Sequence, residues 1–309
     1  SMFQRISEPL RNQGEYLGNK GKFLCVMNQA GFCVPDGVIL DGEEYKRFIE
    51  ENGIALRIEE LLKGINDDNI KSVSEQIREL FDEKVLSDAT IRLLQGGIDE
   101  SSYYAVRSSG TKEDLEDYSF AGQYQTYLNV RGVQDIQKAI INCYKSMFTE
   151  VSLAYFVNHR IDVKELAMAV VVQEMVPAEY SGICFTVNPI TGNDKVMSIE
   201  VAQGLGENIV SGQNKPEQYY YNWYDQKVVE NNNKYLNENT VLKIGKEFSK
   251  VMRYFGYPCD IEFALVNNEL YILQARKITK IKYLGYRDLW STADFKDGGV
   301  SASVCYPYM

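Results

Sequence analysis

Four polar residues interrupt an otherwise apolar run near the end of the chain. In CDIEFALVNNELYILQAR, residues 259–276, Asp260 and Glu262 stand two apart, as do Gln274 and Arg276, and Asn267-Asn268 marks a turn. Strand residues two apart share a face. A two-residue turn at Asn267-Asn268 pairs Glu262 with Leu273 and sends the polar pairs to opposite faces. A loop one residue longer, Asn267 to Glu269, pairs Val266 with Leu270, Glu262 with Gln274 and Asp260 with Arg276. It also aligns Ile261, Phe263 and Leu265 with Ala275, Leu273 and Tyr271 on the other face. A one-residue slip reverses a strand's facing, so this double agreement predicts the longer loop. Two chemistries fit the resulting patch. The plainer is a cross-strand ion pair at a hairpin end, and for the hairpin alone it is the better reading. The other is a hard divalent cation such as Mg2+, held by one or two carboxylates plus phosphate oxygens. The arginine then grips phosphate as a planar fork.

Other stretches offer complementary groups. In LGNKGKFLCVM (17–27), Gly18 and Gly21 flank Lys20 where a helix begins, so backbone N–H groups and an ammonium converge as a phosphate requires. Taken alone, that stretch is better read as an ordinary glycine-containing helix entry with solvated lysines. In AVRSSGTKEDLEDYSFAGQYQTYLNV (105–130), Arg107 ends a strand, and Ser108, Ser109, Gly110 and Thr111 supply hydroxyls and a pliable backbone that can fold over a polyphosphate. Turn composition and a solvated acidic face at 113–117 are the competing account, although they leave the second small-residue cluster, FAGQ at 120–123, unexplained. In VVVQEMVPAEYSGICFTVNP (170–189), a buried strand runs through Gln173-Glu174-Met175-Val176 and stops at Pro177. Such a hinge can read an adenine edge with its backbone, or be a core strand with a proline stop. The glycines of EVAQGLGENIVSG (200–212) permit close approach to a ligand or ordinary turns, and their spacing is not the dinucleotide fingerprint.

The elements that must position these groups are mixed α and β. Helical spacing over 20–31 leads to a short strand, GVIL, at 37–40. Amphipathic helical segments between 42 and 97 break at Gly53, Gly64 and Gly96-Gly97. Strands follow at 103–108 and around QTYLNV, then helices at 133–148 and 151–160. From 166 the chain is strand-rich (166–174, 182–187, 196–202, 217–223), with one helix at 240–255 before the hairpin. A chain of 309 residues suffices for two lobes. The formal charge of -10 argues against a general nucleic-acid binder. It leaves room for a small anion held by local positive charge. The six cysteines (25, 33, 143, 184, 259, 305) show no CxxC or metal spacing and read as reduced thiols of a cytoplasmic protein. LAMAVVVQEMV (166–176) is too short to span a bilayer, and no signal peptide is expected.

Taken in order, GNKG, VPDGVIL, AVRSSGTKEDLEDYSFAGQYQTYLNV, VVVQEMVPAEYSGICFTVNPITG, GLGENIVSG and DIEFALVNNELYILQARKIT resemble one family. It is the N-terminal ATP-binding domain of pyruvate phosphate dikinases and phosphoenolpyruvate synthases, which includes rifampin phosphotransferases. The resemblance runs from about Leu17 to Thr279. It implies an α+β, ATP-grasp fold with ATP held between two lobes, 1–176 and 177–283, and 284–309 as a linker or the start of a further domain. Lys20 and Arg107 match the phosphate-binding and catalytic cations. Gly110 and Thr111 fall in the loop over the nucleotide, and Gln173, Glu174, Met175 and Val176 match the adenine hinge. Glu262 and Gln274 match ligands of Mg2+, with Asp260 an acid beside them. Arg276 matches the arginine that stabilises the transferring phosphoryl group.

In that family ATP phosphorylates a histidine on a separate swivelling domain, which passes the group to pyruvate or a drug hydroxyl on an acceptor-binding domain. The chain's single histidine, His159 in LAYFVNHRID, lacks the surroundings of that carrier and reads as a surface or structural residue. Its final stretch, WSTADFKDGGVSASVCYPYM, resembles the opening of the family's next region. Asn19 stands where the family usually has Gly, and Gly110 where it usually has Ala. The expected partners are ATP and the carrier and acceptor domains of a longer polypeptide, with no nucleic acid and no membrane. A nucleotide-binding regulatory module without productive transfer is the alternative. The retained Arg276 speaks against it.

Overall fold

The computed structural model describes residues 3–110, 125–187, 195–205 and 215–278. The chain divides into two compact units. The first takes the residues up to Lys22 and Asp36–Gln173; the second takes Phe23–Pro35 and the described residues from Glu174 onward.

The first unit is built on a five-stranded sheet in the order β1-β2-β5-β3-β4. Its strands are β1 (Phe3–Arg5), β2 (Gly37–Leu40), β3 (Tyr103–Gly110), β4 (Thr126–Arg131) and β5 (Met168–Glu174). β5 is central, and its run MAVVVQ is buried on both faces, which is why the sequence there is continuously apolar rather than alternating. Helix α1 (Gly18–Gln29) begins in this unit, followed by α2 (Gly42–Glu51), α3 (Ile54–Leu62), α4 (Ile70–Glu79), α5 (Asp88–Gly97), α6 (Val133–Lys145) and α7 (Glu150–Asn158). Local chemistry sets several starts. Asp41 accepts from the Glu43 and Glu44 backbone N–H groups at α2, Ser87 from Thr90 at α5, and Thr149 from Ser152 at α7. The apolar faces meet in an aromatic core in which Tyr45 packs edge-on against Tyr144 at 5.1 Å and Phe81 stacks on Phe148 at 5.7 Å. The sequence reading missed β1, which is only three residues long and is held by pairing with β2.

In the second unit a six-stranded sheet runs β11-β10-β6-β7-β8-β9, with every neighbour antiparallel. These strands are β6 (Tyr180–Phe185), β7 (Val196–Gln203), β8 (Glu217–Asn222), β9 (Lys227–Val228), β10 (Cys259–Val266) and β11 (Glu269–Lys277). Helix α8 (Glu238–Phe255) starts at an Asn237 cap that accepts from the Thr240 N–H at 2.8 Å. Its Phe248 ring packs 5.3 Å from Phe263. Cys184, Ile199, Ile261 and Phe263 form the fully buried layer beneath it. The molecule is α+β, with helices laid on sheets whose described pairings are antiparallel.

Candidate functional site

Within the first unit, the start of α1 is seated on the end of β3. Gly18 has φ +71°, and a Cβ there would lie 2.2 Å from Ser109 Oγ and 2.6 Å from the Gly110 carbonyl oxygen. Only glycine allows this approach. Ser109 Oγ donates to the Leu17 carbonyl at 3.1 Å and closes the junction. Two sequence-predicted cations, Lys20 in the first turn of α1 and Arg107 on β3, are therefore carried by directly joined elements. Both are buried, at 8% and 6% exposure. Burial pushes the Cys143 thiol up to about 12, and the nearby Lys20 ammonium acts in the opposite direction. Among the described residues Lys20 makes no hydrogen bond and no ion pair. With its stem buried, its charged end is free to meet water or an anion. Gly18→Ala is expected to lower unfolding stability by at least ~2 kcal/mol through strain and overlap, read from the denaturant midpoint.

The proposed hinge ends β5. Gln173 pairs with Gly37 and is 2% exposed; Met175 and Val176 are buried, and Glu174 is half-buried. In the second unit Val176 packs with Ala264 and Tyr271, flanked by Cys33 and Leu273.

The hairpin carries the predicted polar pairs and corrects the predicted loop. Asp260 is opposite Arg276 and Glu262 opposite Gln274. The turn, however, is the two-residue one: Val266 pairs with Glu269, and Asn267 and Asn268 have φ of 49° and 65°. Two successive positive φ values are the mark of the hairpin turn that asparagine favours. The register then shifts between Glu262 and Phe263, so that Phe263 faces Ile272 and Leu273 is an extra residue in β11. This β-bulge supplies the offset that the longer loop was expected to supply. On the outer side of β11, the Ile272 N–H donates to the Cys33 carbonyl at 2.9 Å, so the bulged edge is held by the 30–35 segment.

Arg276 Nε donates to both Asp260 oxygens, at 2.9 and 3.2 Å, which forms the cross-strand ion pair of the plainer reading. Gln274 is 5% exposed and Glu262 half-buried beside it, giving one carboxylate and one amide oxygen side by side. Among the described residues no three His, Cys, Asp or Glu side chains converge on a metal position. A divalent cation at this place therefore depends on Glu262 and Gln274 together with oxygens from a ligand. That hard-oxygen set suits Mg2+.

Gly110 is the buried last residue of β3, whereas Thr111, the FAGQ cluster, Gly206, Gly212 and the tail from 284 lie outside the described residues. His159 is exposed at the end of α7, stacked on Tyr155 at 3.9 Å with Nδ1 2.9 Å from the Tyr155 carbonyl oxygen. The five described cysteines are free thiols, and no described helix is long and apolar enough to cross a membrane. One acid that sequence reasoning left unassigned is Glu200, 3% exposed on β7. The signal was available in VMSIEVAQ, where Met197, Ile199 and Val201 alternate with Ser198, Glu200 and Ala202.

The sequence profile of the pyruvate phosphate dikinase AMP/ATP-binding domain matches residues 14–234 and 224–284. This chain belongs to that family. A probable phosphoenolpyruvate synthase of Methanocaldococcus jannaschii is 33% identical over 304 residues, covering 86% of this chain and 26% of the relative. A rifampicin phosphotransferase of Bacillus cereus is 35% identical over 312 residues, covering 90% of this chain and 36% of the relative. This dikinase-family chain thus spans well under half the length of these curated relatives. Among solved structures, a D-alanine–D-alanine ligase of Helicobacter pylori aligns with 73% of this chain and 59% of its own at 12% identity and a TM-score of 0.31, too slight a likeness to bear on the fold.

Proposed function

We propose that this AMP/ATP-binding domain binds Mg2+-ATP and performs the nucleotide half-reaction of a dikinase-type phosphotransferase with an ATP-grasp fold. Lys20 and Arg107 bind the phosphates, and Gly110 and Thr111 contribute backbone and hydroxyl groups to the nucleotide. Gln173, Glu174, Met175 and Val176 bind adenine. Glu262 and Gln274 hold Mg2+, whose role is to neutralise phosphate charge, and Asp260 orients Arg276. Arg276, Lys20 and Arg107 stabilise the charge that develops during transfer, chiefly by fixed position and electrostatics. The phosphoryl group goes to a histidine of a separate domain and from there to pyruvate or another hydroxyl-bearing acceptor.

The observation that carries this reading is Lys20: a lysine only 8% exposed, on a helix start fitted to the strand that bears the equally buried Arg107. The carboxylate–amide pair on the hairpin supports the metal assignment. Calorimetric titration with ATP tests both. Lys20→Ala should weaken binding at least tenfold with or without Mg2+. Glu262→Ala should weaken it about tenfold with Mg2+ and leave it unchanged in EDTA. Equal affinity of wild type and Lys20→Ala rejects the phosphate site. Equal affinity of wild type and Glu262→Ala under both conditions rejects the metal assignment.

A further inference from the structure

Within the first unit, α2, α3 and α7 border an open cavity of about 650 Å³. Protein interiors seldom leave voids much larger than a water molecule, and this volume is in the range of small-molecule sites. Its walls are apolar: Ile49 of α2, Ile58 and Leu62 of α3, Leu153 and Phe156 of α7. The apolar lining runs out to the surface, where Leu56 is 71% and Val157 46% exposed. Apolar surface left open in this way and rimmed by charge marks a place where something binds. Tyr45 also lines the cavity. It is 1% exposed, and among the described residues its hydroxyl has no hydrogen-bond partner. Buried phenol hydroxyls ordinarily find one. Six charged residues complete the lining. Glu59 is held by Lys164, whose Nζ lies 2.9 Å away, and Asp162 accepts from the Lys164 backbone N–H at 3.0 Å. Lys46 and Lys63 have no ion pair among the described residues, against one acid without a side-chain partner, Glu50.

We propose that this cavity binds a small amphipathic carboxylate, with its apolar body between the three helices and its anionic end at Lys46 and Lys63. The apolar walls fix the body: they offer burial and almost no hydrogen bonds, so a sugar or a free phosphate gains nothing there. The surplus of unpaired cations fixes the sign of the polar end. Lys46 follows Tyr45 on α2, and Lys63 follows Leu62 at the end of α3, so each ammonium stands next in sequence to a residue of the wall. Long lysine stems lie along apolar surface while their charged ends reach water, which suits them to the rim of such a cavity. An acceptor on the ligand also supplies the partner that the Tyr45 hydroxyl lacks. None of the lining residues belongs to the nucleotide assignment, so this site is additional to it.

The test titrates the full chain calorimetrically with octanoate, decanoate and octanol, below their aggregation limits, and follows each variant by thermal melting. Decanoate should bind about tenfold more tightly than octanoate, the step expected when two further methylenes are buried. Octanoate should bind more tightly than octanol. The double variant Lys46→Gln, Lys63→Gln should lose that preference, with octanoate weakened about fivefold, the scale of two exposed ion contacts, and octanol unchanged. Ala55→Trp occupies the cavity and should weaken all three probes by roughly tenfold or more. Leu56→Asp puts a negative charge at the opening, at a position exposed enough to spare the fold, and should weaken decanoate by a similar factor. Absence of decanoate binding to the wild type overturns the site. So does decanoate binding that is unchanged in folded Leu56→Asp. Equal affinities for octanoate and octanol, or a preference that survives the loss of both lysines, overturn the carboxylate assignment. No ATP enters these titrations, so their outcome is separate from that of the nucleotide reading.

Discussion

Under the proposed function, replacing Arg276 by alanine is expected to slow phosphoryl transfer to the proposed acceptor histidine by about 10³-fold or more while ATP continues to bind. The size follows from what an arginine aimed at a transferring phosphoryl group contributes elsewhere. The fold fixes how the Arg276 guanidinium is held. Arg276 is on the strand stretch beyond the bulge, and both oxygens of the buried Asp260 hold its Nε. An anchored guanidinium is a planar fork at fixed orientation, so Arg276→Lys should recover only part of the rate, keeping charge without the fork. Rapid-quench measurement of phosphohistidine in the intact polypeptide reads the rate, and calorimetry reads ATP affinity. Removing the guanidinium also takes a partner from Asp260, so Arg276→Ala should melt at lower temperature. Transfer at the wild-type rate in Arg276→Ala would remove the assigned role.

Phe263→Ala is expected to cost about 3–5 kcal/mol, the range for emptying a large aromatic site in a core that cannot collapse. Phe263 is fully buried, rests on Phe248 of α8, and lies over Gly182 so closely that a Cβ there would be 2.3 Å from its Cζ. The same ring thus backs the strand that carries Glu262 and joins the sheet to its helix. A fall in the urea midpoint with unchanged slope measures the loss. Gly182→Ala should destabilise by about 1–3 kcal/mol through overpacking. The double variant should lose less than the sum, because part of the overlap is with the deleted ring; the Glu200 carbonyl, 2.6 Å from the same Cβ position, keeps the rest. Additivity within about 0.5 kcal/mol would show that the ring does not press on residue 182.

Most elements were legible because apolar periodicity reports burial, and burial follows local spacing. The helix expected at 240–255 is α8 (Glu238–Phe255), and the strands expected at 196–202 and 217–223 are β7 and β8 within a residue. Gly96-Gly97, expected as a break, forms the last turn of α5, since the C-terminal turn of a helix tolerates glycine well. The family was legible for a different reason. Six motifs of its ATP-binding domain occur here in order, and together they are specific where each alone is not.

The sequence by itself determined that Asp260 faces Arg276 and Glu262 faces Gln274, because alternation on both faces of the hairpin admits that register. How the register is reached was decided by tertiary structure. The two asparagines favour a two-residue turn locally, and an extra residue at Leu273 then restores the pairing beside the point where Cys33 meets Ile272. Cys33 is 239 positions away in sequence, beyond anything a local pattern encodes. The same limit hid Glu200: alternation says that it faces away from Met197 and Ile199, but only the ladder through Ile183 says that Glu262 shares its face. Lys20 was legible as a cation at a helix start. Its burial at the start of a helix seated on β3 through the contact between Gly18 and Ser109 was not, because only folding brings those two residues together.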